Sequence, residues 1–230
     1  MNGPHFSKHG SPRGSHSPLS SLAEVGSFSV EFLSLAYHTG DPEFKQKADE
    51  AMAKIELKAK MSNELYPLIF KSDDMSPVVN ISSVGAKADS FYEYLLKRWV
   101  HSDKDRIPEN SKDPDKLYEH HSYLVEWKYT MDLIFENMIE FSDDDYLYVG
   151  DFFDDEVLPR MEHLSCFLPG TIALGVYLQS LSDVTVLYPR EEKKYMNIAE
   201  KMARTCYAMY ATSGSKGLSP EFVYFNPNVW

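Results

Sequence analysis

The chain is poor in cysteine, in basic charge and in long apolar runs, and each shortage removes a class of explanation. Two cysteines permit one bridge or two free thiols. The balance of 23 Lys plus Arg against 35 Asp plus Glu leaves a net charge of −12. That argues against a nucleic-acid binder tracking phosphates and against docking on an anionic membrane, so the expected partner is neutral or cationic. No run of about 18 apolar residues occurs, and no span is expected. Met1 to Ser21 is rich in Gly, Pro, Ser and His and lacks the apolar stretch of a secretory leader. Any anchor is expected upstream of Met1.

What is present is enough for one core. With 230 residues and 43% apolar content, one domain is the default. Residues 1–19 read as an irregular lead-in and residues 20–230 as the folded part.

Ser21 and Glu24 form a capping box, and Leu22, Val25, Phe28, Phe32, Leu35 and Ala36 then recur at helical spacing until Thr39-Gly40. Asp41 with Pro42 opens a second helix, whose apolar face, Phe44, Ala48, Ala51, Met52 and Ile55, runs to about Lys58. Two helices joined this closely make an αα-hairpin, the unit of bundles and α/α toroids. Further helices are expected over Ser90 to Val100, Asp115 to Phe141, Pro169 to Leu181 and Glu191 to Met209. Val78 to Val84 and Tyr146 to Phe153 suit short strands or turns.

Three clusters carry candidate chemistry. Asp89 and Glu93 lie four apart at the start of a helix, with Tyr92 expected to project beside them. Carboxylates accept hydrogen bonds from sugar hydroxyls and an aromatic ring covers the apolar face of a pyranose. The rival reading is an ordinary N-terminal acid followed by a solvated one. The second cluster is Glu162-His163-Leu164-Ser165-Cys166-Phe167-Leu168-Pro169-Gly170, in which His163 can donate to a hydroxyl or simply be satisfied at a helix entrance. The third, Gly217-Leu218-Ser219-Pro220-Glu221, is a turn that delivers one acid ahead of an apolar run.

Cys166 and Cys206 could be bridged or be two buried thiols; the residues alone leave both open. One sequon, Asn80-Ile81-Ser82, is compatible with secretion.

Ala88-Asp89-Ser90-Phe91-Tyr92-Glu93-Tyr94-Leu95-Leu96-Lys97, His163-Leu164-Ser165-Cys166-Phe167-Leu168-Pro169-Gly170 and Gly217-Leu218-Ser219-Pro220-Glu221 resemble signature blocks of class I α-1,2-mannosidases, glycoside hydrolase family 47. Ala23-Glu24-Val25, with Glu31-Phe32 and Thr39-Gly40-Asp41, resembles a fourth, and all four stand in the family's order. The resemblance runs from about Leu22 to Phe225 and is weak between about Asp103 and Leu158.

The resemblance implies an all-α fold, part of an (α/α)7 barrel with short β-hairpins. It further implies inverting removal of terminal α-1,2-linked mannose from high-mannose N-glycans in the endoplasmic reticulum or Golgi. Asp89 matches an essential acid of the family, and Glu24, Lys87, Glu93, His163 and Glu221 are carried over as substrate-binding. Lys87 stands where reticulum-type enzymes usually have Arg, and its charge leans towards that type. Cys166 and Cys206 match the family's disulfide. The family also implies bound calcium, but its usual Thr ligand has no counterpart in these residues and no metal ligand is assigned. The family's Phe-Glu-(Ser/Thr)-Thr-Ile-Arg and Arg-Pro-Glu-Thr blocks, which carry the proton donor and the base, are likewise unmatched. The chain is therefore expected to resemble an internal fragment, inactive alone and poorly soluble because apolar helix faces are left uncovered. The alternatives are a non-catalytic oligomannose-binding relative in glycoprotein quality control and a helical scaffold without a sugar site.

Overall fold

A computed structural model describes residues 19–62, 65–102, 114–182, 185–212 and 217–225. The lead-in over residues 1–18 and the polar loop 103–113 lie outside them.

The chain begins with strand β1 (Leu19–Ser21), then helices α1 (Leu22–Gly26), α2 (Ser29–Thr39) and α3 (Glu43–Ser62). Strands β2 (Ile69–Lys71) and β3 (Ile81–Ser82) lead to α4 (Asp89–His101), and α5 (Pro114–Asn137) follows. A run of short strands comes next, β4 (Ile139–Phe141), β5 (Leu147–Val149), β6 (Phe152–Phe153), β7 (Glu156–Val157) and β8 (Arg160–Glu162). A 3-10 turn over His163–Phe167 opens α6 (Leu168–Ser180), and α7 (Pro189–Ala211) and β9 (Phe222–Tyr224) complete the described chain. Helices dominate and the strands form small antiparallel pairs, β1 with β2, β4 with β5, β8 with β9, and β6 between β3 and β7.

The expected first helix is broken in two. The Ser21–Glu24 box caps α1, the Glu24 carboxylate accepting from the Ser21 N–H at 2.9 Å. At Ser27 the ladder stops, because its hydroxyl donates to the Ala23 carbonyl at 2.6 Å and a bend separates α1 from α2. Gly26 permits this turn to sit on α4, where a Cβ would overlap the Phe91 ring. Asp41 caps α3 as expected, accepting from the Glu43 N–H at 2.9 Å. The long helix expected to reach Phe141 ends at Asn137 and hands over to β4. Pro189 begins α7 rather than lying in the loop before it, which suits a residue that has no N–H to give.

The core is aromatic. Phe91, Tyr92 and Trp99 of α4, Trp127 of α5, Tyr195 of α7, Phe70 of β2 and Tyr66 just before it are all fully buried. Gly175 on α6 lets that helix close on Trp127, whose indole occupies the place of a Cβ. Two of the polar groups inside are tied down: the Tyr66 hydroxyl donates to Glu126 at 2.7 Å and Thr205 to the Leu147 carbonyl at 2.6 Å.

Cys166 and Cys206 form a disulfide with a Cα–Cα separation of 5.8 Å, joining the turn before α6 to α7. The bridge the resemblance implied is present, and it closes a loop of 40 residues.

Candidate functional site

The site is assembled by four backbone segments that meet at one edge of the helices. Gly85 to Ala88 forms a tight turn before α4, in which the Asp89 N–H donates to the Gly85 carbonyl at 2.8 Å. The Ala23 N–H reaches across from α1 to the Lys87 carbonyl at 2.8 Å. The Ala86 N–H donates to the Glu162 carboxylate of β8 at 2.6 Å. The His163 N–H then donates to the Glu221 carbonyl at 2.8 Å, where β9 pairs with β8. This chain of bonds links Glu24, Lys87, Asp89, Glu162, His163 and Glu221, residues nearly 200 positions apart at the extremes.

Asp89 is half-buried in the first turn of α4, and its carboxylate accepts from the Ser90 N–H at 2.8 Å. Lys87 is exposed and held at φ 70°, a left-handed backbone that a lysine adopts at a cost. That conformation turns the chain from Gly85 into α4 while leaving the ammonium near Glu24. The Glu24 carboxyl is held below its ordinary value, first by the Ser21 N–H and hydroxyl and also by Lys87. Glu24 thus caps α1 while standing on the exposed edge of the site. His163 bonds to the Tyr210 hydroxyl of α7, which fixes its ring from behind.

One expectation needs correction. Tyr92 does not project beside Asp89 and Glu93. It is fully buried, its ring lies 5.2 Å from Phe91 and 6.4 Å from Tyr66, and its hydroxyl meets no hydrogen-bond partner among the described residues. The inward stripe of α4, Phe91, Tyr92, Leu95, Leu96 and Trp99, is wide enough to take the tyrosine from the acidic face. Glu93 stays on the outer face but turns along the helix to Lys97, with which it pairs at 2.7 Å. It lies one helical turn beyond Asp89 on the same helix.

Glu162 belongs to the site although sequence reading did not assign it a role. Burial, with Asp151 and Glu221 nearby, pushes its carboxyl above the ordinary glutamate value, against the pull of the Ala86 N–H and Arg160. Gly85 makes room for it, since a Cβ there would collide with the carboxylate. Arg160 pairs with Asp151 and lies over the Phe222 ring, holding β8 and β9 together. The available signal was the strand alternation: Met161 is fully buried, so Arg160 and Glu162 share the opposite face.

Two cavities among the described residues lie elsewhere. One, of about 350 Å³, sits between α7, β9 and the β4–β5 hairpin, with Met209, Val223 and Phe225 in its wall. The other, of about 770 Å³, is a groove between α6 and α7 beside the disulfide. Neither is lined by Asp89, Lys87 or Glu24. Among the described residues no group of three His, Cys, Asp or Glu is spaced to hold a metal ion. The residues here do not fit calcium, and no step below runs through it.

A profile of glycosyl hydrolase family 47 matches residues 3–229, nearly the whole chain. The chain belongs to glycosyl hydrolase family 47. Relatives of the family-47 chain include the Arabidopsis thaliana mannosyl-oligosaccharide 1,2-alpha-mannosidase MNS3, 32% identical over 216 residues, which cover 90% of this chain and 32% of that protein. The Homo sapiens endoplasmic reticulum mannosyl-oligosaccharide 1,2-alpha-mannosidase is 31% identical over 209 residues, 90% of this chain and 26% of the relative. The chain therefore spans about a third or less of the length of these relatives. Among solved structures, the alpha-1,2-mannosidase from Trichoderma reesei superposes with a TM-score of 0.70 at 21% identity, over 93% of this chain and 39% of that one. The family-47 chain shares that fold.

Proposed function

We propose that these residues supply one arc of the sugar pocket of a mannosyl-oligosaccharide 1,2-α-mannosidase, part of an (α/α)7 barrel that removes terminal α-1,2-linked mannose from N-glycans with inversion. The observation that carries this reading is the hydrogen-bonded edge joining Asp89, Lys87 and Glu24 to Glu162, His163 and Glu221. In this reading residues 20–230 belong to one catalytic domain of the secretory pathway, where the disulfide also fits. Among the described residues no helix is long and apolar enough to cross a membrane.

Each residue has a task set by its surroundings. Asp89, in the first turn of α4, accepts hydroxyl hydrogens of the terminal mannose or orients the attacking water. Lys87 donates from the rim to a branch of the glycan, as a point charge rather than a planar fork. His163, braced by Tyr210, donates or accepts at a hydroxyl. Glu24 and Glu221 close the two flanks, and Glu93 with Lys97 lies outermost. Inversion needs a proton donor and a base on opposite sides of the ring with room for water. The blocks that carry those two groups in the family are not matched among these 230 residues, so the chain by itself binds an oligomannose end and does not cleave it.

Titration calorimetry with an α-1,2-linked oligomannose glycan tests this, paired with a mannose-release assay on the same preparation. Binding by the natural chain that disappears in Asp89→Asn, without mannose release, is the expected result. Absence of binding by the natural chain would overturn the pocket assignment, and release of mannose would overturn the division of labour.

A further inference from the structure

Asn80 heads the one sequence Asn-x-Ser/Thr (x other than Pro) among the 230 residues. It is exposed, at the end of a largely exposed stretch that starts at Lys71, and it immediately precedes β3. Its amide donates to the Asp154 carboxylate at 3.3 Å, beyond the point where Ile81 pairs with Phe153. An asparagine amide has two hydrogens, and that bond uses one. Replacing the other with a sugar leaves the native contact intact. Around it the surface is apolar where it need not be: Val78, Val79 and Phe153 are 42%, 40% and 40% exposed. The C–H face of a first sugar suits such a patch.

We propose that Asn80 is a glycan acceptor, so that a protein read here as a trimmer of N-glycans carries one itself. The proposal rests on the secretory-pathway reading. The donor is an oligosaccharide linked through pyrophosphate to a lipid. The Asn80 Nδ2 attacks the anomeric carbon, the new N–C bond forms as the C–O bond to pyrophosphate breaks, the lipid pyrophosphate departs, and one amide proton passes to a base of the transferase.

The fold also sets when this happens. Ser82, the residue whose hydroxyl completes the sequon, is only 7% exposed once β3 pairs with β6. A transferase must therefore read an extended segment before that pair closes. The Asp154 side of the pair is made 74 positions after Asn80, which at about 5–20 residues per second leaves roughly 4–15 s of open chain during synthesis.

The test uses two preparations: the protein recovered from its own cells, and the full chain imported into microsomes behind a cleavable leader. Peptide mapping should find Asn80 converted to Asp on enzymatic glycan release, with a matching mobility shift. The shift should vanish in Asn80→Gln and in Ser82→Ala and persist in Ser82→Thr. A bare Asn80 in protein whose Cys166–Cys206 bridge is oxidised overturns the acceptor assignment alone. A bare Asn80 with both thiols free in the cell-derived protein overturns the secretory reading with it.

Discussion

α4 is thirteen residues long, and its two ends are chemically opposite. At its C-terminal end Arg98 is buried to 4% exposure, and its guanidinium pairs with Glu56 at 2.8 Å and Asp49 at 3.4 Å while covering the Tyr123 ring at 4.2 Å. At its N-terminal end Asp89 accepts from the Ser90 N–H, and beside the turn leading into it Glu162 lies near Asp151 and Glu221, with the half-buried Arg160 as their cation. A charge that serves the fold is enclosed and matched by its opposite. Acids that outnumber the cations among them, beside a strained Lys87 backbone, are candidates for a task outside the fold.

Breaking the enclosed end should cost most. Arg98→Ala takes the enclosed guanidinium away from Glu56 and Asp49 and from the Tyr123 ring, and we expect a loss of about 3 kcal/mol in denaturant-induced unfolding. Oligomannose binding per folded molecule should be unchanged. Next comes the contact that seats the other end. Gly26→Ala forces a methyl into the Phe91 ring under the first turn of α4, with an expected loss of about 2 kcal/mol. Because α1 also carries Glu24 and holds the Lys87 carbonyl, this variant should weaken binding as well as stability, which Arg98→Ala should not.

The contrast between the ends was only half legible in the sequence. The Ser21–Glu24 box and the Asp41 cap could be read because each partner lies within three residues. The break after Gly26 could not, since it answers to Phe91 on another helix. Tyr92 was misplaced for the same reason: helical spacing gives the face but not its width, and the core claimed more of α4 than the pattern implied. Glu162 was the largest omission at the site, and its partner, the Ala86 N–H, lies 76 positions upstream. The disulfide needed the family resemblance, because neither the separation of 40 nor the residues between the cysteines dictates pairing.

Glu162 offers a smaller test of the acidic end. Its folded carboxyl titrates above the ordinary value of 4.5, chiefly because burial disfavours the charge. Its contribution to stability is therefore fully present below that ordinary value and is lost as pH rises through the folded one. Glu162→Gln keeps an acceptor for the Ala86 N–H and removes the titration. Relative to the variant, the natural protein should lose stability as pH is raised from about 4 to about 7, by no more than about 1 kcal/mol. Melting temperatures that run parallel for the two proteins across that range would show that the acids at this edge do not feel one another.

The smallest effect on the fold is expected at the residue that matters most to the proposed pocket. Asp89→Asn preserves size and one acceptor but gives up the favourable field at the start of α4, a loss of about 0.5 kcal/mol. If Asp89 were merely a helix-start acid, that would be the whole consequence, and glycan binding would follow stability. If it is the acid that meets the sugar, binding should fall at least about tenfold, because a hydrogen bond to a charged group contributes about 1.5–3 kcal/mol. Glu93→Gln is the matched control on the same helix, since it removes a carboxylate that is paired with Lys97 rather than offered to a ligand. A large drop for position 89 with none for position 93 would place the working edge in the loop that opens α4. Equal, small changes at both would reduce the acidic end to solvated surface and erase its difference from the end that holds Arg98.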